Sequence, residues 1–391
     1  MMGRDVSPPP LKRVRVEKPA RPAIDSSQED ATLNLYSWNI NGISPFIQRS
    51  ITSFFKLDVT GADRTEQPHA SLRDFLSCHD FPTLLFLQEV KINPDDRSTQ
   101  RAVEQAVRRQ SNEPPQNPDY VVHFSLPTDR FNATGFGRKV YGVCSVVRTD
   151  FARKLVKRMR EVEWDSEGRF SVIETRASDH IPKLAIFNVY LVNGTDNAYK
   201  DSCTGEVIGT RHDRKLQVHT HLQAECRAMA AEGFEIVIAG DCNIARSYQD
   251  GHPNLRTFPH QHVLNRQDFA RRFFDRGDMP TALDHKVGTK DSKPGGLGMV
   301  DVYRTLHPDE RGYSYYPRGR PFGSSCDRVD MILCSKLAAE KCVEARILAT
   351  PGDRGPSDHV PIYAAFEFSH RQLQLEPASG PSSSPQQSPA T

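Results

Sequence analysis

The sequence predicts a mixed α/β domain in which two β-sheets pack face to face and helices lie outside them. Three observations lead there. Short apolar runs of strand length recur between residues 33 and 369, and only a few segments carry helical spacing. Neither a low-complexity linker nor a repeat of fixed short period divides that span. At 391 residues, with 37% apolar residues, two Trp and twenty Phe, the chain can fill a large core. We read one catalytic domain, 31–369, between a Pro-rich basic arm (1–30) and a Ser/Pro/Gln-rich tail (370–391), both disordered by composition.

Taken in order, residues 33–39 alternate Leu33, Leu35 and Ser37 with polar or aromatic neighbours, a strand that ends in the polar turn Asn39-Ile40-Asn41-Gly42. A helix is expected over 68–79, then a buried strand over 83–89 ending on Glu89. Helical patterning over 97–110 stops before the prolines at 114–118. Strands follow at 120–125, 141–148, 170–176 and 183–191. Among them Arg153, Lys154, Lys157, Arg158 and Arg160 form a basic cluster, read as a solvated face. An amphipathic helix over 211–232 feeds Ile236-Val237-Ile238-Ala239, an apolar β-branched run that reads as a strand buried on both faces. Gly240 is expected to let the backbone turn sharply there. The stretch 246–266 reads as a polar loop and 267–276 as a short helix. In that helix Gln267 and Phe273-Phe274 faintly resemble a sliding-clamp binding box. Ala270 stands where an aliphatic anchor is required, so a core helix is the better reading. Strands at 330–334 and about 360–368 close the domain.

Charge and cysteine usage narrow the classes. Net charge is +2, of which residues 1–22 carry +4. Polyanion binding must therefore come from local patches over an acidic centre, not from a whole-protein field. Eight cysteines without a CxxC pair argue against a zinc site or a disulfide framework. No apolar run reaches the ~18 residues of a membrane span, and no membrane partner is expected. The segment 8–18, PPPLKRVRVEK, reads as a nuclear import signal, with a mitochondrial presequence or a solvated tail as the alternatives.

The chemistry concentrates at strand ends. Asp241 and Asn243 follow the most apolar strand, and alternation along an extended chain would set them side by side, a carboxylate and a carboxamide suited to orienting a water. The alternative is an Asx turn closing a strand. Cys242 between them is expected to pack, not react. Asn39, Asn41, Glu89, Tyr190, Asn193, Asp330, Asp358 and His359 also stand at or near strand ends. Oxygen donors without clustered Cys or His favour a hard cation, Mg²⁺ with Mn²⁺ as the alternative.

The ordered set Ser37-Trp38-Asn39-Ile40-Asn41-Gly42, Leu87-Gln88-Glu89, Asn188-Val189-Tyr190, Gly240-Asp241-Cys242-Asn243, Asp327-Arg328-Val329-Asp330 and Ser357-Asp358-His359 resembles the endonuclease/exonuclease/phosphatase superfamily. Within it the chain is similar to exonuclease III-type abasic-site DNA endonucleases over about 33–369. The resemblance implies a four-layer α/β sandwich and a Mg²⁺-dependent phosphodiesterase acting on damaged double-stranded DNA; a monomer is expected, with the oligomeric state left open by the sequence. Glu89 would hold the metal, helped by Asn39 and Asn41, with Asp358 near it. The metal set taken over is Asn39, Glu89, Asp241, Asn243, Asp358 and His359. Asp241 would align or deprotonate the attacking water beside Asn243, His359 would stabilise charge on the phosphate, and Asp330 would orient His359. Tyr190 and Asn193 would position the phosphate, Tyr315, Tyr316 and Arg328 would contact substrate, and Asp301 would support structure or a second metal state.

Two positions depart from the pattern. Tyr190-Leu191-Val192-Asn193 replaces Tyr-x-Pro-Asn, and Asp327 stands where a Trp usually precedes the Arg. The expected activity is hydrolysis 5′ to abasic sites with 3′-end trimming. An inositol-phosphate phosphatase (Cys326-Asp327-Arg328, but with Ser325 before it) and a non-catalytic nucleic-acid-binding scaffold are the alternatives.

Overall fold

The computed structural model describes residues 31–47, 71–133, 135, 140–275 and 295–368. The arm 1–30 with its import signal and the tail 370–391 lie outside the described residues, as do 68–70 and 276 of the expected helices.

Two six-stranded mixed sheets carry the domain. In spatial order the first is Cys342–Ile347, Ile362–Glu367, Thr32–Asn39, Leu84–Gln88, Val143–Arg148 and Tyr120–Ser125. The second is Val300–Asp301, Asp330–Cys334, Glu235–Asp241, Leu184–Tyr190, Phe170–Thr175 and Val156–Glu161. Each sheet has a central parallel pair, Leu35 against Leu84 in one and Val237 against Ile186 in the other, flanked by antiparallel neighbours.

Alternation along the strands builds the layers. Leu33, Leu35, Leu84 and Phe86 of the first sheet meet Ile173, Leu184, Ile186, Val237, Ala239 and Ile332 of the second in the inter-sheet core. The outer face of the first sheet (Trp38, Leu85, Leu87, Val146) is covered by the helices Leu72–Cys78 and Arg97–Val107. The outer face of the second (Phe187, Val189, Ile236, Ile238, Leu333) is covered by Arg211–Ala231 and Gln261–Phe273. Helix, sheet, sheet, helix is the expected four-layer sandwich. No helix among the described residues is long and apolar enough to cross a membrane.

The inward rows change chemistry toward one rim. Beyond Leu35, Phe86 and Ile186 come Ser37, Gln88 and Asn188, and the facing strands add Ser145 and Ser171. Gln88 Nε2 donates to Ser37 Oγ (3.0 Å) and to Asn188 Oδ1 (2.8 Å) across the sheets. Asn188 Nδ2 donates to the Cys144 carbonyl (3.1 Å) and Ser145 Oγ (3.2 Å), and Ser145 and Ser171 share a bond of 3.1 Å. A buried polar group needs a partner, and these side chains supply one another except at Gln88 Oε1, which is buried without one. Continued by two residues, the same alternation delivers Asn39, Tyr190 and Asp241 to the rim.

Several expectations change. The strand runs through Gly240 to Asp241, and glycine is needed because a Cβ would collide with the Val189 carbonyl of the adjacent parallel strand. The turn falls at Asn243, at φ 51°. The basic cluster is not one solvated face. It spans a short helix, Thr149–Lys154, and an edge strand, Val156–Glu161, whose Arg158 and Arg160 each reach Glu174 at 2.7 Å. The second outer helix begins at Gln261, inside the expected loop, because its N-cap His260 makes no side-chain capping bond and so leaves no capping signal. Its Phe273 and Phe274 are buried in the core, which removes them as clamp anchors. The helix Arg211–Ala231 starts at a capping box, Thr210 with Asp213. Its buried face is not purely apolar, because Arg211, Arg214, Lys215 and His219 share it with Val218, Leu222 and Cys226.

Candidate active site

The rim of the inter-sheet core opens into a cleft lined by Glu89, Tyr190, Asn193, Asp241, Asn243, Tyr315, Asp358 and His359 together with Lys215, Arg256, His262, Asn265 and Arg266. Asn39, wholly buried, ties the two sheets together there. Its Nδ2 donates to Glu89 Oε1 and to Asp241 Oδ2, both at 3.0 Å. Tyr190 donates its hydroxyl to Glu89 Oε1 (2.7 Å), and the Lys91 ammonium lies 2.9 Å from Glu89 Oε2. Burial works against ionisation of Glu89, but Lys91, Asn39 and Tyr190 hold its carboxyl below the usual range. Lys91 also donates to Asn41 Oδ1, while Asn41 Nδ2 donates to Asp358 Oδ1 at 3.0 Å. Four of the seven described non-glycine residues at positive φ are Asn41, Glu89, Lys91 and Asn243, so backbone strain gathers at this rim.

Asp241, Asp330 and His359 form the second cluster, with one ligand atom from each inside 4.8 Å. His359 Nδ1 is 2.7 Å from Asp330 Oδ2, and His359 Nε2 is 3.9 Å from Asp241 Oδ2. The imidazole is fixed further by its own main chain. Trp38 Nε1 donates to the His359 carbonyl (3.1 Å), and His359 N donates to Ser357 Oγ (3.0 Å), whose hydroxyl donates to the Asn39 carbonyl (2.6 Å). The Tyr315 ring packs at 5.0 Å from the imidazole. Burial would push the imidazolium down, yet Asp330 and Asp241 raise it to about 10. Burial, then the Asp330 charge, push Asp241 up to about 7. Asn243 N donates to Asp241 Oδ1 (2.8 Å) and its Nδ2 to the Leu191 carbonyl (2.9 Å) and Asp241 Oδ2 (3.2 Å). The Asx turn and the carboxylate–carboxamide pair are thus one structure.

The donor set fits a divalent cation. Glu89, whose carboxyl is held below the usual range, stands with the amides of Asn39 and Asn41 and the Asp358 carboxylate in an oxygen-rich set without a thiol, and the mutually repelling Asp241 and Asp330 lie beside it. Such an ion offsets negative charge on a phosphate and on an attacking oxygen.

Two expected substrate contacts lie elsewhere. Arg328, 1% exposed, is clasped by Asp250 (2.7 Å) and Asp301 (2.7 and 3.1 Å) beneath the cleft floor, where two carboxylates consume its hydrogen-bonding capacity. Tyr316 is buried against Phe322, ring centroids 4.1 Å apart, and only its neighbour Tyr315 lines the cleft. Asp301 also holds Arg246 (3.1 Å), so it knits structure. Asp327 does line the cleft, 3.7 Å from Arg256.

Sequence reasoning missed the basic wall. Lys215 is buried, donates to the Asn243 carbonyl (2.8 Å), and burial lowers its ammonium to about 7. Its signal was available, since Lys215 shares a helix face with Val218, Leu222, Cys226 and Met229. Lys91 was legible as the second residue after Glu89. Arg266 and His262 gave no signal, because the start of their helix was unmarked.

A two-sheet sandwich with an acid–imidazole cleft at the rim of its core has the architecture of a metal-dependent phosphoester hydrolase. Residues 36–359 match the Endonuclease/Exonuclease/phosphatase family, and the chain belongs to that family. Solved structures repeat the fold. The AP endonuclease LMAP from Leishmania major aligns with TM-score 0.58 at 16% identity, over 87% of this chain and 89% of that one. The Xenopus laevis APE2 catalytic domain aligns with TM-score 0.55 at 18% identity, over 87% and 94%. The 3′ phosphatase NExo from Neisseria, bound to a product DNA hairpin, aligns with TM-score 0.52 at 18% identity, over 86% and 99%. No curated protein sequence matches.

Proposed function

We propose that the protein is a divalent-metal-dependent phosphodiesterase that hydrolyses the DNA backbone 5′ to abasic sites, with 3′-end trimming as a companion activity. The observation that carries the reading is the convergence of Asp241, Asp330 and His359 on one point beside Glu89 and Asn39. In this reading a divalent cation, Mg²⁺ by the donor chemistry, would offset charge on the reacting phosphate when bound. Glu89, with Asn39, is its principal holder, and Asp358 lies close by. Asp241, with Asn243 beside it, orients the attacking water and takes its proton, which a carboxylate raised toward neutrality can do. The water oxygen bonds to phosphorus as the P–O3′ bond breaks, and the departing O3′ takes a proton from solvent water to leave a 3′-hydroxyl. His359, kept protonated by Asp330, donates to a non-bridging oxygen where charge develops. Tyr190 and Asn193 position the phosphate, and Tyr315 flanks it.

The test is cleavage of a duplex with one abasic-site analogue, with Mg²⁺ and with chelator, beside an intact duplex and a soluble inositol phosphate. Metal-dependent incision only at the lesion is expected, abolished in Glu89→Gln and His359→Ala proteins that remain folded. A fully active His359→Ala enzyme would sink the mechanism. Phosphate release from the inositol compound alone would move the protein to a phosphatase activity.

A further inference from the structure

We propose that the cleft contains a second, anion-binding subsite, centred on Arg266 and walled by Lys215 and His262, which takes a phosphate flanking the scissile one. The inference rests on the reading of the substrate as a nucleic-acid strand, but the subsite has observations of its own.

The buried arginines of this fold are compensated by carboxylates. Arg73 meets Glu113, Arg169 and Arg211 meet Glu167, Arg214 meets Asp165 and Glu167, and Arg328 meets Asp250 and Asp301. Arg266, only 4% exposed, has no carboxylate in direct ion-pair contact among the described residues, and Asp327 and Asp250 act on it only from a distance. Its Nε donates to the Ala245 carbonyl (2.6 Å) and its Nη2 to the Arg256 carbonyl (2.8 Å), while Nη1 is buried with no partner at all. A buried cation with a free N–H is costly unless an anion completes it. Arg266 lines the same cleft as Asp241 and His359, so the anion can arrive as part of the substrate.

The neighbours agree. Lys215 is 3% exposed, its ammonium donating to the Asn243 carbonyl, drawn by the Asp241 charge and facing the same cleft. His262 and Asn265, from the same helix as Arg266, add a ring and an amide to the wall. Arg256 stands at the mouth, its side chain 59% exposed and loosely paired with Asp327. Beside the acidic residues suited to a cation, the cleft thus holds a basic cluster, with Asp327 at its edge, suited to a phosphate, two of whose oxygens a guanidinium can meet with paired, charge-assisted hydrogen bonds.

Two experiments test this. In the first, inorganic phosphate is titrated calorimetrically into the full chain in chelator. One site is expected, weakened at least ~10-fold in Arg266→Gln and partly restored in Arg266→Lys. Because Arg266 also anchors two carbonyls, the half-buried His262→Ala provides a variant expected to fold normally and to weaken phosphate binding in the same direction. In the second, a cleavable duplex carries a neutral methylphosphonate at single positions around the scissile phosphate. One flanking position should raise KM for the native enzyme by ~10-fold with little change in kcat, and cost the His262→Ala enzyme nothing further. A duplex ending in a 3′-phosphate, compared with a 3′-hydroxyl, distinguishes a terminal from an internal phosphate as the occupant. Phosphate binding that ignores both substitutions, or methylphosphonate effects that add fully to those of the variant, would overturn the subsite. Arg266-dependent phosphate binding without cleavage of any DNA would leave the subsite standing and overturn the proposed function instead.

Discussion

Replacing Asp330 by Asn isolates what one negative charge contributes. The carboxylate sits 2.7 Å from His359 Nδ1, and both side chains are buried. Burial alone would lower the imidazolium below its ordinary 6.5, but the Asp330 and Asp241 charges hold it near 10. Asparagine keeps the shape and removes the charge. A hydrogen bond to a charged partner contributes ~1.5–3 kcal/mol, and each pKa unit corresponds to ~1.4 kcal/mol. The His359 pKa should therefore fall by about one to two units from this bond alone, and kcat should fall by as many decades at pH above both limbs while changing little near neutral pH. The sign of the pH effect follows from the charged form being the active one. Activity is present below the His359 pKa and lost as pH rises through it, so the alkaline limb should lie near 10 in the native enzyme and closer to neutrality in the variant. The assay is kcat on the lesion duplex at saturating Mg²⁺ as a function of pH, with a denaturation midpoint to show that the variant is folded. An alkaline limb that coincides with the native one, with kcat above it reduced less than about twofold, would refute the argument that Asp330 acts through the His359 charge.

Other predictions follow from the buried charges. Arg328→Met leaves Asp250 and Asp301 with one arginine each, Arg304 and Arg246, and should cost about 3–5 kcal/mol in urea denaturation; unchanged stability with a raised KM would instead mean that Arg328 reaches substrate. Glu167 works against its own burial, but Arg169, Arg211 and Arg214 hold its carboxyl down to about 2 from 4.5. A depressed carboxylate stabilises above its unfolded pKa and stops doing so as pH falls through the folded one. Stability should thus drop by about 3 kcal/mol between those values, and denaturation midpoints of Glu167→Gln should show a flatter acid limb; an equal slope in both proteins would remove Glu167 as its cause. Chelation should abolish hydrolysis, and Glu89→Gln should weaken Mg²⁺ binding by ~10-fold or more, measured by titration calorimetry with the denaturation midpoint as control; unchanged binding would exclude Glu89 as a holder of the ion.

The inter-sheet core was legible because its strands carry period-two or fully apolar runs, as in 33–39, 83–89 and 235–241. The rim acids were legible because the same period continues two residues past the apolar run. What escaped notice has physical reasons. The edge strand Val156–Glu161 is charged on both faces, and Cys342–Ile347 alternates weakly, as edge strands do when they resist pairing with other chains. Arg328 was expected to contact substrate because it belongs to the motif Asp327-Arg328-Val329-Asp330 that carries the resemblance, whereas Asp250, 78 residues earlier, could be matched to it only in three dimensions. Tyr315 and Tyr316 point to opposite sides of an extended segment, so only one could reach the cleft. The basic wall depended on a helix without a cap and on a Lys buried by a helix face that looked amphipathic.

The polar layer of Ser37, Gln88, Ser145, Ser171 and Asn188 makes stability and turnover compete. The active-site cleft is assembled from both sheets, with Asn39, Glu89 and His359 from one and Tyr190, Asp241 and Asp330 from the other. Distances such as Asn39 to Asp241 and Asp330 to His359 therefore measure how far one sheet has slid over its partner. Greasy contacts resist separation but tolerate sliding, whereas directed hydrogen bonds admit one register. Selection for thermal tolerance alone would tend to convert that layer to Leu and Val and gain apolar burial. The resulting enzyme would melt later and cut more slowly, its two halves firmly joined but no longer indexed to each other.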